Sequence, residues 1–247
     1  KVEVWDDFLG PDNDLTWGVG TVRVGNFGFV SVNEGSFEWT IDEGGGILAI
    51  TTDVGDDDNA VLLAGTFRPD VMAPLVTEFR FKHDGAATTF PAVYAGFTET
   101  LALGTPVMPD EFATTTMTYN GTGQTLGAQM DVDGTADDYR AVSGDAGAVV
   151  GTNFATGAAL VAAGLRSNET LTADEWYIVR AELSQDGVGE VYVGHKGRGL
   201  DLILTVTGAP VVNPMYAVCF FENRTAAARV CEVDYGYACG GRDWEVT

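Results

Sequence analysis

Lysine is almost missing from this 247-residue chain, standing only at positions 1, 82 and 196, and histidine occurs just twice, at 83 and 195. Positive charge as a whole is scarce: 13 Lys and Arg face 36 Asp and Glu, a formal net charge of −23. A surface this negative repels phosphate backbones and anionic headgroups, which argues against nucleic acid or a membrane surface as partner. Long apolar runs are also absent, and none approaches the roughly 20 residues of a membrane-spanning helix. The first residue is Lys1 and no basic-then-apolar leader pattern follows it, which leaves a removed leader and an omitted one equally open. Cysteine is limited to Cys219, Cys231 and Cys239, and no C-x-x-C spacing occurs, which sets structural zinc aside.

What is present is apolar and aromatic. Hydrophobic residues make up 45% of the chain, with 13 Phe, 8 Tyr and 5 Trp, so it folds as a globule despite its charge. Short runs rich in Val, Ile, Thr, Phe and Tyr alternate with Gly, Asp, Asn and Pro clusters, the pattern of an all-β sandwich. The spacing predicts fifteen strands, from Val2–Phe8 to Arg229–Tyr237. In TEFRFKHD, Phe79 and Phe81 alternate with Glu78, Arg80 and Lys82. In WYIVRAELS, Tyr177, Val179, Ala181 and Leu183 form the core side, opposite Trp176, Ile178, Arg180 and Glu182. With no fixed repeat and no Pro/Ser-rich linker, the expectation is one domain over 1–247 carrying an Ala/Gly-rich insertion around 136–165, read as a decorated loop. The acidic surface suits a saline exterior, where screening weakens self-repulsion.

The opening VWDDFLGPDNDLTW and the closing VCEVDYGYACGG resemble the first and last strands of the concanavalin-A-like lectin/glucanase jelly roll, in which a D-x-F segment lies near a C-terminal V-D-Y-x-x-V strand. MYAVCFFENRTAAARV is similar to the hairpin before that last strand, and WYIVRAELSQDGVGEVYVG to the strand pair before it. The resemblance implies an all-β, two-sheet antiparallel jelly-roll sandwich with long loops. It implies less about activity, because that fold hosts lectins, glucanases, lyases and structural proteins. The Gly/Ala/Thr/Asp-rich loops, the scarcity of His and the lack of a catalytic motif resemble tailed-virus virion proteins of the capsid-decoration, fibre or tail-associated kind.

Glucanases on this fold carry E-x-D-x-x-E or E-x-D-x-E on one strand, with the two Glu carboxyls about 5 Å apart. Glu232 and Asp234 match the first two positions. In an unbroken strand Gly236 and Ala238 would follow on their face, with Val233, Tyr235 and Tyr237 opposite, so the closing Glu is missing. No catalytic residue is expected, and Glu232 with Asp234 is the one catalytic alternative. His83 and His195 lie in turn-like HDG and HKGRG and read as polar turn residues.

Two acidic loops have the composition for Ca²⁺, which takes about six to eight oxygen ligands. DVGDDDN offers Asp53, Asp56, Asp57, Asp58 and Asn59, and DVDGTADD offers Asp131, Asp133, Asp137 and Asp138, with Asp56, Asp57, Asp58, Asp131, Asp133 and Asp137 the first candidates. Neither has EF-hand spacing, and clustered carboxylates of this kind are more often solvated turns. If Tyr216–Tyr237 folds as a hairpin turning near Asn223–Ala228, Cys219 and Cys231 fall opposite each other and would form a disulfide; otherwise they are buried thiols. Trp5, Trp17, Trp39, Trp176 and Trp244 are the aromatics that would stack on sugars, Trp17 and Trp244 being expected at the surface. Asn120, Asn168 and Asn223 open N-x-T sequons and mark surface loops.

The sequence therefore favours a non-enzymatic structural protein at a virion surface, bound to a capsid or tail protein and to copies of itself, with 146–165 as its docking element and no cofactor other than Ca²⁺. The alternative is a secreted carbohydrate-binding or glucan-cleaving domain.

Overall fold

The computed structural model describes residues 2–6, 20–24, 27–31, 36–40, 46–55, 59–84, 91–99, 101, 108–113, 116–119, 123–131, 140–145, 148–149, 173–195, 199–209 and 213–241. Two large antiparallel sheets enclose one apolar core, an all-β jelly-roll sandwich. From one edge, the first sheet runs through Asp201–Thr207 (β16), Val188–His195 (β15), Tyr177–Leu183 (β14), Leu75–His83 (β7), Val230–Gly240 (β18), Ile47–Thr51 (β5) and Ser36–Thr40 (β4). Val2–Asp6 (β1) also pairs with β18. The second sheet runs through Ala148–Val149 (β13), Arg140–Asp145 (β12), Thr125–Met130 (β11), Ala92–Thr98 (β8), Met215–Glu222 (β17), Asn59–Phe67 (β6), Phe27–Ser31 (β3) and Gly20–Val24 (β2). A separate hairpin joins Asp110–Ala113 (β9) to Thr116–Tyr119 (β10), and one helical turn, Pro69–Met72 (α1), precedes β7.

The predicted alternations hold. Strand β7 is buried at every odd position from Leu75 to His83, and β14 buries Tyr177, Val179, Ala181 and Leu183. Ser184 and Gly187 turn the chain from β14 into β15, and Gly187 has a φ of 77°, where a side chain would be strained. Between the sheets Phe81 of β7 meets Phe221 of β17 edge to face, ring centroids 5.8 Å apart. Each such fully buried Phe contributes on the order of 2–3 kcal/mol.

Strand β18 holds the first sheet together. Along one edge it pairs with β7 from Cys231 to Gly240; along the other it pairs with β5 at Val230–Val233 and with β1 at Gly236–Gly240. The expected meeting of the first and last strands is thus observed, with Val2 opposite Gly240. The expected hairpin between β17 and β18 is not: the two strands belong to different sheets, so the connection crosses the sandwich.

The second sheet differs in being buried on both sides along β8, β11 and β17. Tyr94, Phe220, Val218, Val61, Ala92 and Met108 form a second apolar cluster on its outer side, every one of them fully buried. Where β8 and β11 pair, Gly96 lies opposite Gly127, and a Cβ on Gly96 would come within 2.4 Å of the Leu126 carbonyl oxygen. The Tyr94 hydroxyl, which donates to the Phe97 carbonyl at 2.5 Å, would lie 3.0 Å from a Cβ on Gly127. The stretch around 136–165 is not simply a loop, since Arg140–Asp145 and Ala148–Val149 extend this sheet; its remaining residues, 150–165 among them, lie outside those described.

Gly96→Ala is expected to cost about 3 kcal/mol, because both the φ of 151° and the backbone contact oppose a methyl group. Urea denaturation reads it; a loss under about 0.5 kcal/mol would mean that the β8–β11 pairing is looser than its register implies.

Candidate functional site

The outer face of the first sheet is built from the positions that alternation leaves over. From β7 come Glu78, Arg80 and Lys82, from β14 Arg180 and Glu182, from β15 Glu190 and Tyr192, and from β18 Glu232, Asp234 and Tyr235, all partly exposed. They form a connected polar lattice. The Arg180 guanidinium bridges Glu182 at 2.5 Å and Glu78 at 3.2 Å, and the Tyr235 hydroxyl donates to the other Glu78 oxygen at 2.5 Å. Lys82 pairs with Glu232 at 2.8 Å, and Arg80 pairs with Asp234. The Trp176 ring lies across two cations, its centroid 4.6 Å from the Arg80 guanidinium carbon and 5.1 Å from the Lys82 ammonium, both within cation–π range. The Tyr192 hydroxyl donates to Glu190 at 2.8 Å. Burial, reinforced by that bond, pushes the Tyr192 phenol up to about 12; burial and the Glu78 bond also push Tyr235 up.

Glu232 and Asp234 do share this face, but the strand between them and the chain end is not regular. Val233 lies opposite Phe81 and Tyr235 opposite Arg80, so Asp234 is the extra residue of a β-bulge. The bulge reverses the alternation. Gly236 and Ala238, expected beside the carboxylates, point into the core, while Tyr235 and Tyr237 come out beside them. A third carboxylate is present after all, from the neighbouring strand, as Glu78. Glu232, Asp234 and Glu78 are each held by a cation, Glu78 also by a phenol, which suits a fixed donor and acceptor array rather than proton transfer.

Asp131 does not stand in a solvated loop. It is buried with Glu222 against the Arg224 guanidinium, whose two terminal nitrogens lie 2.9 Å from Asp131 Oδ2 and 2.7 Å from Glu222 Oε1. This guanidinium already supplies the positive charge a metal would bring. Asp56, Asp57, Asp58, Asp133 and Asp137 lie outside the described residues, among which no group of three metal-ligating side chains converges. Nor is Asn223 a surface sequon: it is fully buried, its amide nitrogen donating to the Asp53 carbonyl at 2.8 Å and its oxygen accepting from the Thr225 N–H at 3.2 Å. Asn120, Asn168, Trp17 and Trp244 also lie outside the described residues.

Cys219 and Cys231 face the core from opposite sheets, on β17 and β18, and all three cysteines are buried free thiols rather than a cross-strand disulfide. Burial pushes the Cys219 and Cys231 thiols well up. The histidines are not turn residues either. His83 ends β7 and His195 ends β15, with His83 fully buried. The odd-position parity of β7 already pointed His83 inward. Arg224 and Glu222 carried no such signal, because a buried outer face leaves no alternation to read.

No protein-family model matches the chain, and no curated protein matches it. Solved structures match in fold. Peanut lectin in complex with a 9-residue peptide superposes with a TM-score of 0.53 at 10% identity, over 97% of this chain and 97% of its own. The carbohydrate recognition domain of Emp47p gives a TM-score of 0.53 at 12% identity, over 97% and 95%. The exoplasmic/lumenal domain of VIP36 in its Ca²⁺-bound form gives 0.50 at 9% identity, over 99% and 92%. At these identities the likeness is one of architecture, the concanavalin-A-like jelly roll.

Arg224→Ala would strand two buried carboxylates and is expected to lower stability by about 3–5 kcal/mol. The readout is the urea midpoint with the slope unchanged; a loss below about 1 kcal/mol would show that water reaches the triad.

Proposed function

We propose that the chain is a non-catalytic carbohydrate-recognition domain that binds a neutral, hydroxyl-rich glycan on the outer face of its first sheet. One observation carries this: Trp176, Tyr192 and Tyr235 are interleaved there with carboxylates and guanidinium groups already locked in place by their mutual ion pairs. Sugars need flat apolar surface beside fixed donors and acceptors, and pre-paired charges lose little freedom on binding. The names of the lectin and the carbohydrate recognition domain that share the architecture point the same way. Excess acid over base on this face disfavours anionic ligands.

In this reading the chain works outside the cytosol, as the exoplasmic/lumenal neighbour does, and it is not an enzyme. Ca²⁺, if it binds, does so through the aspartates of 56–58 and 133–137 rather than through Asp131. The virion reading, with a capsid or tail partner and self-assembly, rests on an acidic, Gly- and Ala-rich composition, and that composition does not distinguish a virion surface from any other saline exterior.

The test is a glycan array followed by calorimetry, with and without EDTA. Trp176→Ala is expected to weaken binding roughly tenfold, about 1.4 kcal/mol, and the wild-type chain, Glu232 intact, to leave any bound glycan uncleaved. Retention of wild-type affinity by both Trp176→Ala and Tyr235→Ala, or no glycan bound at all, would sink the proposal; loss of binding in EDTA alone would move the site to the acidic loops.

A further inference from the structure

Both histidines of the chain stack on one tyrosine. Tyr177 stands opposite His195 on β15 and opposite Phe81 on β7, two residues before His83, so all three rings lie on the core side at one end of the first sheet. His83 and Tyr177 are parallel with centroids 5.8 Å apart; Tyr177 and His195 are within 4° of parallel at 4.5 Å.

The segment leading into β14 is fastened beside this stack, with one contact to a ring, one to the backbone and one to the outer face. The Asp174 N–H donates to the His83 carbonyl at 3.0 Å, from a left-handed φ of 60°. Glu175 Oε2 lies 2.5 Å from His195 Nε2. Trp176, next along, turns to the outer face and lies over Arg80 and Lys82. A left-handed Asp is a conformation that persists because its surroundings hold it.

We infer that the His83–Tyr177–His195 stack is an acid-sensitive latch: a proton taken up at His83 releases the 174–176 segment and lifts Trp176 from Arg80 and Lys82. His83 is 1% exposed, so an imidazolium there has no water to solvate it. Burial lowers its pKa from 6.5 to about 4, against a hydrogen bond to the Asp84 backbone and the charge of Asp174, which both raise it. The other titratable groups packed around the stack are Asp84, whose carboxylate accepts from the Val230 N–H, Glu175 on His195, Tyr177, and Cys231 directly across on β18 with Cys219 near it, the two thiols kept neutral by burial.

The sign follows from the depressed pKa. Above pH 6.5 open and closed forms bind the same number of protons at His83; between 6.5 and about 4 the open form binds more. The closed latch therefore weakens about tenfold per pH unit as pH falls through that window. Opening there is local, since the segment lies at the end of the sheet, outside the β7–β14 ladder. The latch is a property of the unliganded chain and holds whether or not the outer face binds sugar.

Hydrogen exchange of the intact chain, corrected for intrinsic rates, tests it. Protection of peptides covering 174–177 is expected to fall about 40-fold from pH 6.5 to 4.5 while β8 and β11 keep theirs. In His83→Phe, which keeps a flat ring on Tyr177 but cannot titrate, that loss should vanish. The inference is overturned if His83→Phe opens like the wild type, or if both sheets lose protection together. Should His83→Phe not fold, the carbon-13 NMR titration of His83 in the wild-type chain decides: a midpoint near 4, with protection of 174–177 already lost above it, supports the latch, and a midpoint near 6.5, or protection lost only below pH 4, overturns it.

Discussion

The first sheet depends on a single strand being paired along both edges. Among the described residues, strand β18 alone joins the meander β7–β14–β15–β16 to the group formed by β1, β4 and β5. Each of its partners is distant in sequence, so closing those loops costs entropy before any contact returns it. The core gains as well: Cys231, Val233 and Ala238 on its inner side complete the apolar layer that the second sheet covers. The face on which the polar lattice sits is thus a product of the last pairing in the fold, because Asp234, Glu232 and Tyr235 reach their partners only across the β7–β18 ladder.

In so acidic a chain the few cations serve as pins. Arg80, Lys82 and Arg180 fasten the outer face of the first sheet, and Arg224 fastens Asp131 to Glu222 where β11 and β17 end. The two settings differ in energy. On the half-exposed face water screens each pair, and what the lattice supplies is fixed geometry more than stability. Around Arg224 no water helps, and the same kind of contact becomes a condition of folding. The sandwich is correspondingly one-sided, with a wet, charged exterior on one sheet and a filled exterior on the other.

Strands with one wet side were legible in the sequence because period-two alternation is a direct imprint of burial. Glu78, Arg80 and Lys82 against Phe79 and Phe81 is such a case, and the meeting of β1 with β18 followed from the motifs at the chain's two ends. The β17–β18 hairpin was misread because Asn223 and the small residues after it look like a turn, and a tight turn and a crossing between sheets share that chemistry. Asp131 was misread because composition says nothing of Arg224, which lies far along the chain. Strands β9, β12 and β13 were invisible: Asp, Gly, Ala and Ser in short runs fit a loop equally well.

One extra residue at Asp234 means that β18 is written in two phases. Before it the odd positions 231 and 233 face the core; after it the even positions 236, 238 and 240 do, and at Gly240 a Cβ would already press Leu75 at 2.9 Å. Tolerance to an added polar group along this strand should therefore switch parity in mid-course, with the even positions of its second half as closed to one as the odd positions of its first. A survey of variation read with one uniform period would find only noise there, where the chain holds two clean half-strands spliced out of step.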